Sequence, residues 1–266
     1  MIAPMRTAVA GSKKLAKRMV RRAIQSFGYD LVPFDPELAF PIAAQRPFSV
    51  VEDLPLPEIT GIKSLTSLVP IVEAPEFRQT SEFFSKTPPW SQGLVSSDGL
   101  ALLYHATRLL RPAAVLEIGT LKGWTTQVLA RAVEANRHGV VHTVGPYDNW
   151  RFSPLLKQWP THLTSRVKFY ATNSAAFFQQ NCADIAPYDL IFVDGNHEYE
   201  FALFDLQCAA RVTAPNGYIF VDDANQPEVA AATADFLAKH QEWRSCSSNA
   251  RSDILDGQDL LILRRA

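Results

Sequence analysis

The chain has 266 residues, 47% of them hydrophobic and 20% charged, with a net charge of -1, enough for one good-sized core with an appendage or for two small cores; one catalytic domain is expected. Three scattered cysteines, Cys182, Cys208 and Cys246, form no Cys-x-x-Cys pair, which argues against a disulfide framework or structural zinc and fits a reducing, cytoplasmic setting. No apolar run has the length to cross a bilayer and the N-terminus lacks the apolar core of a secretory signal, so a soluble protein is expected.

Charge is distributed unevenly. Residues 1–30 carry a net +6 and the remainder about -7. Between Lys13 and Phe27, Leu15, Met19, Val20, Ala23, Ile24 and Phe27 recur at helical spacing among cations, which predicts a basic amphipathic helix. Two readings stand for it: residues 1–28 lie peripherally on an anionic membrane face, or they pack on the domain or on a second subunit of a homo-oligomer.

Residues 31–92 contain ten prolines, from Pro33 to Pro89, and read as an irregular proline-rich arm or cap. From about residue 93 to the end, helical and strand patterns alternate, which predicts an α/β, Rossmann-like, doubly wound sheet with helices on both faces. Ser97-Asp98-Gly99 opens a helix running to about Leu110, with Ser97 or Asp98 as its cap. Strands follow at 114–118, 140–144, 166–170, 188–193 and 218–221, with helices at about 123–136 and 227–240 and a helix after the fourth strand that turns Phe201, Leu203, Leu206 and Ala210 to the sheet. Asn216-Gly217 is the expected turn into the fifth strand, and residues 243–247 and 260–263 form a closing hairpin.

The first strand ends in Glu117-Ile118-Gly119-Thr120-Leu121-Lys122-Gly123, an acid followed by two glycines that open a helix. Glycine lets a ligand lie against bare backbone at the carboxyl edge of a parallel sheet. The spacing is neither that of a dinucleotide fingerprint nor that of a phosphate loop. At the same edge, strand 4 ends in Asp194-Gly195-Asn196-His197 and strand 5 in Asp222-Asp223-Ala224. Carboxylates converging in one cleft call for a cation, and hard oxygen donors suit Mg²⁺, Ca²⁺ or Mn²⁺. The alternative is that Asp222 and Asp223 cap the next segment and Asp194 is a turn residue.

Taken together, these three strand ends resemble the class I S-adenosylmethionine-dependent methyltransferases, in particular the catechol O-methyltransferase-like and the macrolide or sugar O-methyltransferases. The resemblance covers about residues 90–265 and implies a seven-stranded sheet and methyl transfer to a hydroxyl of a small-molecule acceptor such as a sugar or glycosylated natural product. It implies that Glu117, Gly119, Thr120, Gly123 and Asp194 receive the cofactor. It also implies that Asn173 and Ser174 line its adenine pocket and that Asp194, Asp222 and Asp223 hold a divalent cation, Mg²⁺ first among them. The chain departs from the pattern at Ala224, where catechol-type enzymes have asparagine, and at Gly145, where the family places an acid on the ribose; Asp148 is the nearest substitute, and with the basic N-terminal helix these departures leave a non-catalytic cofactor-binding or interaction protein as an alternative.

His197 is read three ways, as general base for the acceptor hydroxyl, as a metal neighbour, or as a solvent-facing helix-start residue. The other five histidines, His105, His138, His142, His162 and His240, read as structural or surface. Trp90, Trp124 and Trp150 are aromatic candidates for the cleft; Trp124 either shields the methionine end of the cofactor or fills space between helix and sheet. Nucleic acid is not expected as a substrate, because the catalytic part is acidic and has no basic-aromatic stripe.

Overall fold

In the computed structural model the described residues are 56–62, 65, 68–87, 91, 95–146, 152–181, 187–246 and 260–265. The basic helix at 1–30, Trp90, Trp150, Cys182 and Asp148 lie outside them. Two short elements open the described part, α1 (Val69–Val72) and α2 (Pro75–Lys86), followed by α3 (Ser97–Leu110). The order continues as β1 (Ala114–Ile118), α4 (Trp124–Ala135), β2 (Val140–Val144), α5 (Ser153–Leu156), α6 (Thr161–Thr164), β3 (Val167–Tyr170) and α7 (Ser174–Asn181). It closes with β4 (Tyr188–Val193), α8 (Tyr199–Val212), β5 (Thr213–Val221), α9 (Pro227–Lys239), β6 (Trp243–Ser245) and β7 (Leu261–Arg265).

The seven strands form one sheet in the order β3-β2-β1-β4-β5-β7-β6. β1 to β5 are parallel, and β7 pairs antiparallel with both β5 and β6. The chain winds outward from β1 to β3 and then returns to β4 beside β1. That reversal opens a crevice at the carboxyl ends of β1 and β4, the usual place for ligands in open α/β sheets.

Alternation along the central strands divides the interior in two. Val115, Leu190, Phe192, Tyr218, Phe220 and Ile262 face a core shared with α2, α3 and α4. Leu116, Ile118, Ile191, Val193, Ile219, Val221 and Leu263 face a second core shared with α7, α8 and α9. Because neither face meets water, β4 reads as the continuous apolar run seen in the sequence.

Four local expectations need correction. The proline-rich stretch contains a helix, because Pro75 sits at the first helical position of α2, where its missing N–H costs nothing. Phe77, Thr80, Ser81 and Phe84 then fall on one face and are buried against α3. Ser96 caps α3, its hydroxyl accepting from Gly99 N at 3.1 Å, because Asp98 is engaged by the Ser81 hydroxyl of α2. Asn216, at φ +62°, lies within β5, which begins at Thr213 and shifts register against β4. Phe201 points away from the sheet and is 51% exposed, while Leu206 and Ala210 of the same helix are buried as expected.

His105 and His142 are structural, as expected: His105 is buried with Nε2 2.9 Å from the Thr80 hydroxyl, and His142 lies 2.8 Å from the Tyr188 hydroxyl between β2 and β4. Burial pushes His105 down to about 4, so it is neutral at physiological pH. Among the described residues, no helix is long and apolar enough to cross a membrane.

If α2 is integral to the fold, removing the fully buried Phe84 ring opens a cavity in the first core. Phe84→Ala should cost about 3–5 kcal/mol in chemical denaturation. A loss below about 1 kcal/mol would mean that α2 is a detachable arm.

Candidate active site

The strand exits are laced together by backbone hydrogen bonds. Gly119 N and Thr120 N both donate to Val144 O at 2.9 Å, Gly145 N donates to Tyr170 O at 3.1 Å, Asp194 N to Ile118 O at 2.8 Å and Asp222 N to Val193 O at 2.9 Å. Each residue that leaves the sheet is therefore fixed by its neighbour's last carbonyl.

Gly119, at φ +110°, makes the closest of these crossings. A Cβ there would lie 1.6 Å from the carbonyl oxygen of Asp194. The glycine keeps the ends of β1 and β4 in contact, and only secondarily keeps ligand space open. Gly123 serves packing as well, since its Cβ would lie 1.9 Å from the Phe152 ring. Trp124 packs against the first core with Lys122 Nζ 4.6 Å above its ring, which is the space-filling use.

Glu117 is buried on β1 and does not line the cavity described below. Thr143 donates to its Oε2 at 2.6 Å, and Thr126, on the helix that follows, donates to the same oxygen. The carboxyl ties β1 to β2 and to the start of α4. Burial outweighs these two hydrogen bonds and pushes it up to about 7, with the nearby charge of Asp194 adding to the rise.

Gly145 has a steric explanation. A Cβ at this position would meet the Thr120 carbonyl oxygen at 2.3 Å, because the turn after β1 leans over the exit of β2. The acid that relatives are expected to carry here has no room.

A cavity of about 540 Å³ lies over these exits. Its walls are the β1 turn at Gly119, Thr120 and Leu121, the β3 exit at Thr172–Ala175, and the β4 exit at Asp194–His197. Of the expected cofactor residues, Gly119, Thr120, Asn173, Ser174 and Asp194 line it, while Glu117, Gly123 and Trp124 do not. Asn173 is held in place by its own side chain, whose Oδ1 accepts from Ala176 N at 2.8 Å at the start of α7.

In the cavity wall His197 stands between two carboxylates. Its Nε2 is 3.0 Å from Asp223 Oδ2 and 3.5 Å from Asp194 Oδ1. Asp223 reaches this place in a left-handed turn conformation, φ +52°, which aspartate tolerates better than most residues. Pairing with Asp194 raises the proton affinity of His197 above the ordinary histidine value; partial burial opposes this, and the charges of Asp223 and Asp222 reinforce it. Burial raises Asp194 too, and His197 offsets part of that rise.

Possible ligand atoms of Asp194, His197 and Asp223 lie within 4.8 Å of one another, so this trio fits a divalent cation. The expected set of Asp194, Asp222 and Asp223 is not the one that gathers: Asp222 lies outside the cluster and His197 takes its place. Two carboxylates and one imidazole suit Mn²⁺ or a later transition metal better than Mg²⁺, which prefers oxygen.

Two cavity residues carry no motif and were missed from sequence. Asp205 and Phe201, one turn apart on α8, both line the cavity. Helical spacing alone gave no signal for either, since it turned Phe201 to the sheet and assigned nothing to Asp205.

The Glu117 carboxyl makes a pH-dependent contribution to stability. The unfolded group ionises near 4.5 and the folded one near 7. Between those values the folded state holds the extra proton, so stability falls as pH rises through this window, by on the order of 3 kcal/mol. Glu117→Gln cannot ionise. Relative to wild type, its denaturation midpoint should rise from pH 5 to pH 8; an equal offset at both pH values would contradict the buried carboxyl.

Residues 116–224 match the family model described as a methyltransferase domain. No curated protein matches the chain. Among solved structures, the O-methyltransferase from Bacillus cereus in complex with SAH is 18% identical, with 78% of this chain and 93% of that chain covered at a TM-score of 0.51. TomG from Streptomyces achromogenes, an O-methyltransferase involved in tomaymycin synthesis and solved with SAM, is 18% identical over 75% and 93% of the two chains, TM-score 0.51. Cofactor-bound Rv0187 from MTB is 22% identical over 71% and 87%, TM-score 0.52. The fold is that of these solved methyltransferases, and residues 116–224 are similar to a methyltransferase domain.

Proposed function

We propose that the chain is an S-adenosylmethionine-dependent O-methyltransferase acting on a hydroxyl of a small molecule, with a sugar or glycosylated natural product as the acceptor class. The observation that carries this reading is the placement of His197, between Asp194 and Asp223, in the wall of a cavity that the Gly119 turn also lines. The cofactor supplies an electrophilic methyl on a sulfonium. The chain must bind it, expose the methyl to the acceptor, and take the acceptor's proton.

In this reading the backbone of Gly119–Leu121 receives the amino acid end and the Thr172–Ser174 turn receives the base. His197 accepts the hydroxyl proton at Nδ1, the ring nitrogen turned away from the two carboxylates and 3.4 Å from Gln226 Nε2, as the acceptor oxygen forms its bond to the methyl carbon and the carbon–sulfur electron pair returns to sulfur. Asp194 and Asp223 orient the ring and stabilise the imidazolium that results, and preorganised charge of this kind strengthens in the transition state.

A second reading is supported by the spacing of the same three side chains. Asp194, His197 and Asp223 would hold a divalent ion, which supplies Lewis acidity to the acceptor hydroxyl. An imidazole bound to metal cannot also serve as the base, so the two readings exclude each other at His197.

The test has two arms. By calorimetry, S-adenosylhomocysteine should bind and NAD should not; the reverse would overturn the function. With release of S-adenosylhomocysteine followed over a set of hydroxylated acceptors, His197→Ala should lower the rate by roughly 10²–10⁴-fold with chelators having no effect. Loss of activity on chelation, restored by Mn²⁺, would replace the base with the metal. A His197→Ala enzyme within a few-fold of wild type, indifferent to chelators, would exclude both.

A further inference from the structure

Gln226 stands beside His197, and neither the motif pattern nor the proposed chemistry gives it a role. It lies at the start of α9, where its backbone is held from both sides: its N–H donates to Asp223 O at 2.9 Å and its carbonyl accepts from Ala230 N at 2.8 Å. Pro227 follows it and favours the extended conformation that Gln226 adopts, φ -64° and ψ 133°. Helix-capping side chains are usually short polar ones that bond the first turn, but the Gln226 side chain makes no such bond. It turns instead to His197, with Nε2 3.4 Å from Nδ1.

The two nitrogens of the His197 ring are unlike. Nε2 is closed to solvent, 3.0 Å from Asp223 Oδ2 and 3.5 Å from Asp194 Oδ1. Those carboxylates draw the hydrogen of the neutral ring to Nε2 and leave the lone pair on Nδ1. Facing a lone pair, the Gln226 amide must present its N–H rather than its carbonyl. The contact is long for a hydrogen bond, and the Gln226 side chain makes no other among the described residues. It is a cover that a better donor can replace.

We propose that Gln226 is a positioning residue for the base: its amide covers the Nδ1 lone pair in the free protein and yields that place to the hydroxyl of the acceptor. The inference rests on the reading of His197 as general base. It adds a selection at the point of entry, since a group takes the amide's place only by donating a hydrogen to Nδ1. A hydroxyl can do so; a carbonyl or ether oxygen cannot.

Diethyl pyrocarbonate acylates the unprotonated nitrogen of a neutral imidazole, so it measures the cover without an acceptor. Modification is followed residue by residue by mass spectrometry in mildly alkaline buffer, with the exposed His138 and His162 as internal references. Gln226→Met keeps the length of the side chain and removes the donor. Relative to the references, His197 should react roughly three- to tenfold faster in Gln226→Met than in wild type, the range of one neutral hydrogen bond. The denaturation midpoint should stay that of wild type; faster reaction with a lowered midpoint would assign Gln226 to holding the start of α9 and overturn the proposal. Equal or slower reaction in the variant would overturn the cover and leave the base reading standing. A His197 unmodified in both proteins while the references react would show no lone pair to cover, and would overturn the base reading and the proposal with it.

Discussion

The close approach of the ends of β1 and β4 governs the rest of the site. At Gly119 the backbone passes so near the Asp194 carbonyl that no side chain fits between them. That contact sets Asp194 at the edge of the sheet, and with it the turn that presents His197. It also brings residues 119–121 into the cavity wall. The Thr120 carbonyl, carried over β2 by the same turn, excludes a side chain at Gly145. Two glycines separated by a strand and a helix therefore answer to one geometric demand.

A second layer holds this arrangement from below. Glu117 is bonded by Thr126 and Thr143, and the Thr143 hydroxyl also meets that of Thr120 on the cavity floor. The network crosses from the helix after β1 to the strand beside it. Its members are buried and mutually satisfied, which favours one rigid geometry over several. The acid is structural where it stands, and the floor that it stabilises is what a ligand would meet.

The strand positions were legible in the sequence because a doubly wound sheet buries both faces of its strands. The runs at 114–118, 140–144 and 188–193 had no other use, and the structure places strands on all three. Asp194 and His197 were legible too, since strand-end polar residues at the reversal of the winding have few structural reasons to be there. What sequence could not supply was side-chain direction. Glu117 turned inward because Thr126 and Thr143 awaited it, Asp222 fell outside the cluster while Asp223 entered it through a left-handed turn, and Phe201 faced out where helical spacing suggested in. Pro75 shows the same limit in the backbone, since a proline that interrupts one helix starts another. Asp205 was illegible for a plainer reason: it joins the cavity wall beside Gly195, which is near it only in the folded chain.

In the proposed reading the methyl donor lies in the space between the Gly119 turn and the Asp194–His197–Asp223 cluster. A crystal structure of the protein grown with S-adenosylhomocysteine tests it most directly. Density for the ligand is expected in this cavity, with the homocysteine carboxylate against the backbone of residues 119–121 and the sulfur facing His197. Ligand density elsewhere on the molecule, or a bound ligand whose sulfur faces away from His197, would contradict it.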